Sequence, residues 1–372
     1  MNKIKIIIAY PYWGRGGAEI ATMNLIEAIK DNFEIHLISR GGWDLDDLNF
    51  VSGTNISILE INIINLPFSF ILRQTKGGQL WHSFYLRYCR FIADKYDLRI
   101  TASRTIGWGL PAIHFLSDVV WNDKLLNKFD SKVYEPNLLK RFIASLSNLL
   151  AGEAKNELNL HDIFVANSKW TANISSPYTT NIPYVINPPV FKEFKSLPWG
   201  ERLYDFVYLG RISEEKRIED AILILENVRK NNFDIEFTIF GKFENNDYSK
   251  KIKELIKNKS WISAKGPIYG NNLSKMLPMF KFGINTCKRE AFGISTAEMI
   301  LSGVLPIVSI HGAQKEIVKN ENLIYKDLDD ATSKIIKLLD SKKLCFEIMS
   351  FLKNANSFTK EKFKSQILKL LN

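Results

Sequence analysis

Short runs of β-branched and aromatic residues alternate along the chain with stretches in which apolar residues recur every three or four positions. Residues 3–9 read as a strand, 18–30 as a helix and 33–39 as the next strand, with further short strands at 164–167 and 183–186. The pattern then restarts, with a strand at 205–209, a helix at 217–230 and a strand at 235–240 that ends at Gly241. Residues 282–286 and 305–309 are further strands, with a helix between them near 295–301. Alternation of this kind is how parallel α/β sheets read. Between the two blocks stands Asn187-Pro188-Pro189, which breaks regular backbone. We read two doubly wound, Rossmann-like α/β domains, residues 1–187 and 188–358, with the boundary between Asn187 and Tyr204. A ligand is expected in a central cleft between them, at the carboxyl ends of the strands.

Composition narrows the partners more than the fold. A chain of 372 residues fits two domains of roughly 150 each. Its 46% hydrophobic and 24% charged residues exclude a disordered chain, a fibrous repeat and a disulfide-stapled miniature. The net charge of +10 favours anionic partners. No recognition motif accompanies that charge, so nucleic acid is not expected. Cys89, Cys287 and Cys345 form no CxxC pair and read as reduced thiols of a cytoplasmic protein. The apolar start is interrupted by Lys5 and runs into a glycine-rich turn with no small-residue cleavage site, so it reads as a buried strand rather than a signal peptide. No stretch approaches 18 uninterrupted apolar residues, and no bilayer span is expected.

Three strand-to-helix loops carry candidate chemistry. The first runs from Tyr10 through Gly14, Gly16 and Gly17 to Glu19, and its glycines let backbone N–H groups approach an anion at a helix N-terminus. Glu19 stands where the dinucleotide fingerprint needs its last glycine, so that fingerprint is absent, and a merely tight turn is the alternative. The second, from Leu209 to Arg217, offers a guanidinium and an ammonium, Arg211 and Lys216, that could neutralise a diphosphate without a metal; a solvated charged loop is the alternative. The third, from Lys288 to Glu298, places Glu290 in a loop and Glu298 in a helix, around a Phe292-Gly293-Ile294 turn whose N–H groups suit phosphate. One carboxylate could hold sugar hydroxyls and the other a ribose, unless both are surface charges.

Taken together, these loops resemble the retaining GT-B glycosyltransferases of family four (group 1 type). The third is similar to that family's E-x7-E motif. Residues 165–172 and Val185-Ile186-Asn187-Pro188-Pro189-Val190 look like its middle landmarks, and residues 358–363 resemble its last segment. The resemblance implies a GT-B fold, with the final helix, 359–372, packed back on the first domain. It implies that Arg211 and Lys216 bind the donor diphosphate, that Glu298 binds the ribose, and that Glu290 contacts the donor sugar beside the reacting carbon. Gly16 and Gly17 would line the phosphate site from the acceptor-side domain, with Phe292, Gly293 and Ile294 opposite. His114 resembles an active-site histidine that follows a first-domain strand. On the residues alone, it reads as a satisfied core group. The family usually has glycine where this chain has Arg217, and His311-Gly312-Ala313-Gln314-Lys315-Glu316 matches its Gly-Gly-x-x-Glu loop only in part.

The implied reaction is metal-independent transfer of a hexose to an acceptor hydroxyl with retention of configuration, and it requires no cofactor. The Pro-Pro-Val segment and the Phe-Gly-Ile turn look most like mannosyltransferases that extend lipid-linked glycans. They favour GDP-mannose as donor over a UDP-sugar, and a glycan or lipid-linked acceptor. Residues 66–90 mix Phe68, Phe70, Trp81, Phe84 and Tyr85 with Arg73, Lys76, Arg87 and Arg90, which suits an anionic membrane surface or a core helix with a charged outer face. The D-x-D sequences at Asp44–Asp46 and Asp327–Asp329 read as caps or solvated loops, and the other histidines lack ligand spacing, so no metal is expected. Two rivals remain: a sugar-nucleotide 2-epimerase on the same fold, and a non-catalytic binding subunit.

Overall fold

Ile6, Ile7 and Ile8 are all shielded from solvent, although side chains on a strand alternate between faces. The strand β1 (Lys5–Ala9) is therefore covered on both sides. Ile6 and Ile8 share a core with Met23 and Ile26 of the helix Gly17–Ile29. Ile7 and Ala9 share another with Tyr85, Leu86 and Cys89 of the helix Gly78–Phe91. The computed structural model describes residues 3–41, 44–66, 78–102, 104–129, 138–155, 157–190, 193–355 and 358–371.

Strands β2 (Glu34–Ser39), β3 (Ile61–Asn65), β4 (Leu98–Thr101), β5 (Ile113–Leu116), β6 (Ile163–Ala166) and β7 (Tyr184–Val185) complete a first sheet in the order β3-β2-β1-β4-β5-β6-β7. A second sheet takes β8 (Leu203–Leu209), β9 (Phe237–Phe240), β10 (Ile262–Ala264), β11 (Phe280–Asn285), β12 (Leu305–Ser309) and β13 (Ile324–Tyr325) in the order β10-β9-β8-β11-β12-β13. Every pairing in both is parallel. The two doubly wound domains expected from the pattern are thus present. Strand order reverses between β1 and β4 in one sheet and between β8 and β11 in the other, and such reversals are where ligands of open α/β sheets bind.

The chain divides into one unit of Met1–Pro189 with Phe358–Asn372 and a second of Val190–Ser357. In the first, the last helix, Lys360–Leu371, buries Phe363 and Ile367 in the core beneath helix Gly17–Ile29, about 1.5–3 kcal/mol for each side chain. Lys360 fastens it through Nζ, 2.6 Å from Glu27 Oε2 and 2.6 Å from the Gly53 carbonyl. In the second unit, a Cβ on Gly283 of β11 would lie 2.5 Å from Met299 Sδ. A side chain there would displace Met299, which packs the helix Ile294–Leu301, the carrier of Glu298, onto the sheet.

Several strands escaped the pattern. β4 is disguised by Arg99, whose guanidinium is spent on the backbone carbonyls of Ala93, Tyr96, Asp97 and Pro111 at 2.7–3.1 Å. Of the aromatic and basic segment 66–90, Phe68, Phe70, Arg73 and Lys76 lie outside the described residues. Tyr85 is core, and Arg90 pairs with Glu153 and Glu157 at 2.6 and 2.8 Å. The three cysteines are buried thiols. Among the described residues, no helix is long and apolar enough to cross a membrane.

Candidate functional site

The loops that leave β8 and β11 are neighbours because those strands are paired at the reversal of the second sheet. The first loop is held by Tyr208, whose hydroxyl donates to the Arg211 carbonyl at 2.8 Å. Its far end is held by Thr286, just past β11, whose Oγ1 lies 2.8 Å from the carbonyls of both Lys216 and Arg217. Lys216 Nζ is thereby delivered to Glu290 Oε2 at 2.6 Å, with both side chains largely buried. Burial alone would lower the ammonium's pKa and is the largest single influence. The charge of Glu290, with smaller help from Cys287 and Tyr208, outweighs it and holds that pKa above its ordinary value. Lys216 is therefore a fixed positive charge at any physiological pH.

Glu290 is positioned by its backbone. Its carbonyl accepts from Ala313 N at 2.8 Å, and a Cβ on Gly312 would lie 2.9 Å from Glu290 N and O. With φ at +81°, Gly312 also has a backbone that only glycine adopts cheaply. Behind the loop runs a fully buried polar chain that sequence reasoning missed. Gln314 Nε2 donates to the Cys287 carbonyl at 2.8 Å, Thr296 Oγ1 donates to Gln314 Oε1 at 3.2 Å, and Asn285 Nδ2 donates to Thr296 Oγ1 at 3.3 Å. This chain ties the end of β11 to helix Ile294–Leu301 and to the helix Gln314–Val318. The imperfect match around residue 311 was its only trace in the sequence.

Of the expected donor residues, Lys216, Glu290 and the turn Phe292-Gly293-Ile294 come together, with Gly293 capping the helix at φ +105°. Glu298 is buried within that helix. Arg211 stands apart. Its side chain is largely exposed and reaches Glu215 Oε1 at 3.3 Å rather than Glu290. Arg217 has a left-handed backbone at φ +52°. Its guanidinium pairs with Asp220 in the first turn of the helix Ile218–Lys230, at 2.6 and 3.2 Å.

The first unit holds the remaining candidates. Gly16 caps helix Gly17–Ile29, but its N–H already donates to Glu19 Oε2 at 3.0 Å, so an incoming anion meets a carboxylate there first. His114 lies inside β5 rather than after a strand, and it has no exposed surface. Its Nδ1 is hydrogen-bonded with Thr101 Oγ1, its Nε2 lies 3.2 Å from Asp162 Oδ2, and its ring stacks on Phe164. That is the setting of a core histidine. The landmark asparagines act as latches: Asn167 Nδ2 donates to the Ser117 carbonyl at 2.8 Å and Asn187 Nδ2 to the Asn167 carbonyl at 2.9 Å. Asp44 and Asp327 cap helices through N–H bonds of 2.9–3.1 Å.

Residues 190–353, nearly all of the second unit, match the family model described as glycosyl transferases group 1. A capsular polysaccharide biosynthesis glycosyltransferase, CapH of Staphylococcus aureus, is 26% identical over 257 residues, covering 67% of this chain. The match spans 64% of that relative's own length, less than two thirds. Among solved structures, Anabaena HepE in complex with UDP-glucose superposes with a TM-score of 0.68 at 12% identity, over 99% of each chain. WaaG, a glycosyltransferase involved in lipopolysaccharide biosynthesis, gives 0.70 at 13% identity, over 98% of this chain and 99% of its own. The fold of this chain is GT-B.

Proposed function

We propose that this chain is a retaining, metal-independent glycosyltransferase that moves a hexose from a nucleoside diphosphate sugar to a hydroxyl of a glycan or lipid-linked acceptor. The carrying observation is the Lys216–Glu290 pair beside the N-terminus of helix Ile294–Leu301, at the reversal of the second sheet. In transfer, the bond between the anomeric carbon and the phosphate oxygen breaks, and the acceptor oxygen bonds that carbon on the same face. The acceptor proton passes to the departing phosphate, which leaves as nucleoside diphosphate. Negative charge grows on the diphosphate as the bond breaks, and a fixed ammonium with helix N–H groups beside it stabilises that charge without reorganising. Glu290, held by the Gly312–Ala313 backbone, contacts the sugar, and Glu298 the ribose. Arg211 swings from Glu215 to the phosphates. His114, with no exposed surface, takes no part in substrate contact in this reading.

The donor is GDP-mannose or a UDP-hexose. The protein in EDTA, given GDP-mannose, UDP-glucose and UDP-N-acetylglucosamine, is expected to release nucleoside diphosphate slowly from one of them. Glu290→Ala is expected to abolish that release, and equal release by the variant would sink the assignment.

An anionic membrane surface as the place of work rests on the helix Leu138–Ala151. Leu138, Phe142, Leu146 and Leu149 recur along it at helical spacing and are 83, 67, 42 and 77% exposed. This helix and its packing partner Gly78–Phe91 contain Arg87, Lys140 and Arg141 besides the paired Arg90, and no acidic residue. An apolar stripe with basic flanks suits the interface of an acidic bilayer. Flotation with phosphatidylglycerol vesicles, lost in Phe142→Asp, is the expected result. Equal flotation with neutral vesicles would remove the electrostatic part.

A further inference from the structure

The reversal of the first sheet carries a cluster that the donor chemistry does not use. Tyr12 follows the end of β1, Arg40 follows β2 and Arg104 follows β4, so three loops at one sheet edge contribute one residue each. His82 and Tyr85 join them from helix Gly78–Phe91. The Tyr12 and His82 rings are stacked at 25° with centroids 5.8 Å apart, and the His82 and Tyr85 rings at 15° and 6.2 Å. Arg40 donates to the Tyr12 hydroxyl, with its guanidinium 4.7 Å from the ring centroid. Tyr85 is anchored underneath by donating to the Ile38 carbonyl at 3.2 Å.

Two properties of this cluster point to a ligand. His82 Nδ1 is buried without a hydrogen-bond partner among the described residues, a state that costs free energy unless something fills it. The strongest charges that act on the imidazole are positive. Burial, then Arg104, Arg40 and Lys155, push its pKa down to about 4, so the ring is neutral at pH 7. Half of the Tyr12 surface faces solvent. A neutral stacked platform ringed by cations at a ligand-binding edge suits a sugar ring that bears an acidic group.

We propose that Tyr12, Arg40, His82 and Arg104 form a binding site for an anionic saccharide, in which a sugar ring packs on Tyr12, a carboxylate or phosphate pairs with Arg40 and Arg104, and a sugar hydroxyl meets His82 Nδ1. The saccharide is the acceptor, and that role rests on the glycosyltransferase reading. The guanidinium forks select carboxylate or phosphate by bidentate geometry.

The test is calorimetric titration of the full chain with three probes: a glucuronate-containing tetrasaccharide, its carboxyl-reduced neutral counterpart, and inorganic diphosphate. At least one anionic probe is expected to bind tenfold or more tightly than the neutral one. Arg40→Gln and Arg104→Gln should each remove three- to tenfold of that preference while leaving the neutral probe unchanged. A preference for glucuronate identifies a uronic acid acceptor, and a preference for diphosphate identifies a phosphate-linked one. Equal affinity for charged and neutral probes, anion binding that ignores both variants, or no binding of either anion would overturn the proposal. Nucleotide-sugar binding by the unaltered chain is measured alongside. Anion binding without donor binding would keep this site and discard the enzymatic reading.

Discussion

The edges of the two sheets where strand order reverses are finished in opposite ways. In the second unit the best-buried charges are paired: Lys216 meets Glu290, Arg217 meets Asp220, and a buried chain through Gln314 locks the loop from behind. In the first unit Arg104, Arg40 and Lys155 bear on a histidine stacked against Tyr12, and one of its ring nitrogens is left unbonded among the described residues. A preformed edge with its inner charges paired suits a ligand that differs little from one enzyme to the next. An edge that keeps charge in reserve suits a ligand particular to this chain.

The largest effect should follow Lys216→Met, which leaves Glu290 as a largely buried carboxylate without its cation. Turnover should fall by about 100-fold or more, the usual scale for losing one preorganised stabiliser of developing charge. Stability should drop toward the lower end of the ~3–5 kcal/mol typical of a broken buried pair. Unchanged donor affinity and turnover would dissolve the contrast, since the paired edge would then have no catalytic meaning. Gln314→Leu comes next. It keeps volume but orphans the Cys287 carbonyl and Thr296, and should cost about 1–3 kcal/mol in a denaturant titration, with a raised KM for donor.

The reserve of charge at the other edge can be read from His82 by histidine-ring NMR. Its midpoint should sit near pH 4, because burial and then Arg104, Arg40 and Lys155 disfavour protonation. The unfolded chain takes up that proton at about pH 6.5, so folding stability falls as the pH drops from about 6.5 toward 4. Arg104→Gln should move the midpoint upward, and a midpoint near 6.5 in the unaltered chain would contradict the cationic edge. The smallest effect belongs to Arg217→Gly. Glycine relieves a left-handed backbone at φ +52°, worth about 1–2 kcal/mol, and gives up a half-exposed pair with Asp220 worth about 0.5. The variant should be as stable as the parent or slightly more so.

How legible each edge was follows from how its residues are spaced. Ile6-Ile7-Ile8 announces a strand covered on both faces, and Leu305–Ser309 was bounded from the pattern as the structure has it. β4 was hidden because Arg99 turns its charge onto backbone carbonyls at the strand's end, a use that composition does not reveal. Lys216 and Glu290 stand in loops that directly follow two strands readable as strands, so their nearness could be inferred. Gln314 could not, because its partners at 285, 287 and 296 meet it only after three elements have packed. Tyr12, Arg40, His82 and Arg104 are scattered over more than ninety positions, and only the strand order brings them to one edge. His114 shows the converse. It was singled out by a local motif, while Thr101, Asp162 and Phe164 decide its surroundings from a distance.

The path of the chain also sets an order of events during synthesis. The first unit borrows Phe363 and Ile367 from the far end, so a ribosome must make all of Val190–Ser357 before helix Gly17–Ile29 receives its cover. Until then an apolar patch on the nascent first unit stays wet and open to chaperones. The second unit, continuous in sequence, can close without waiting for the segment that completes the first.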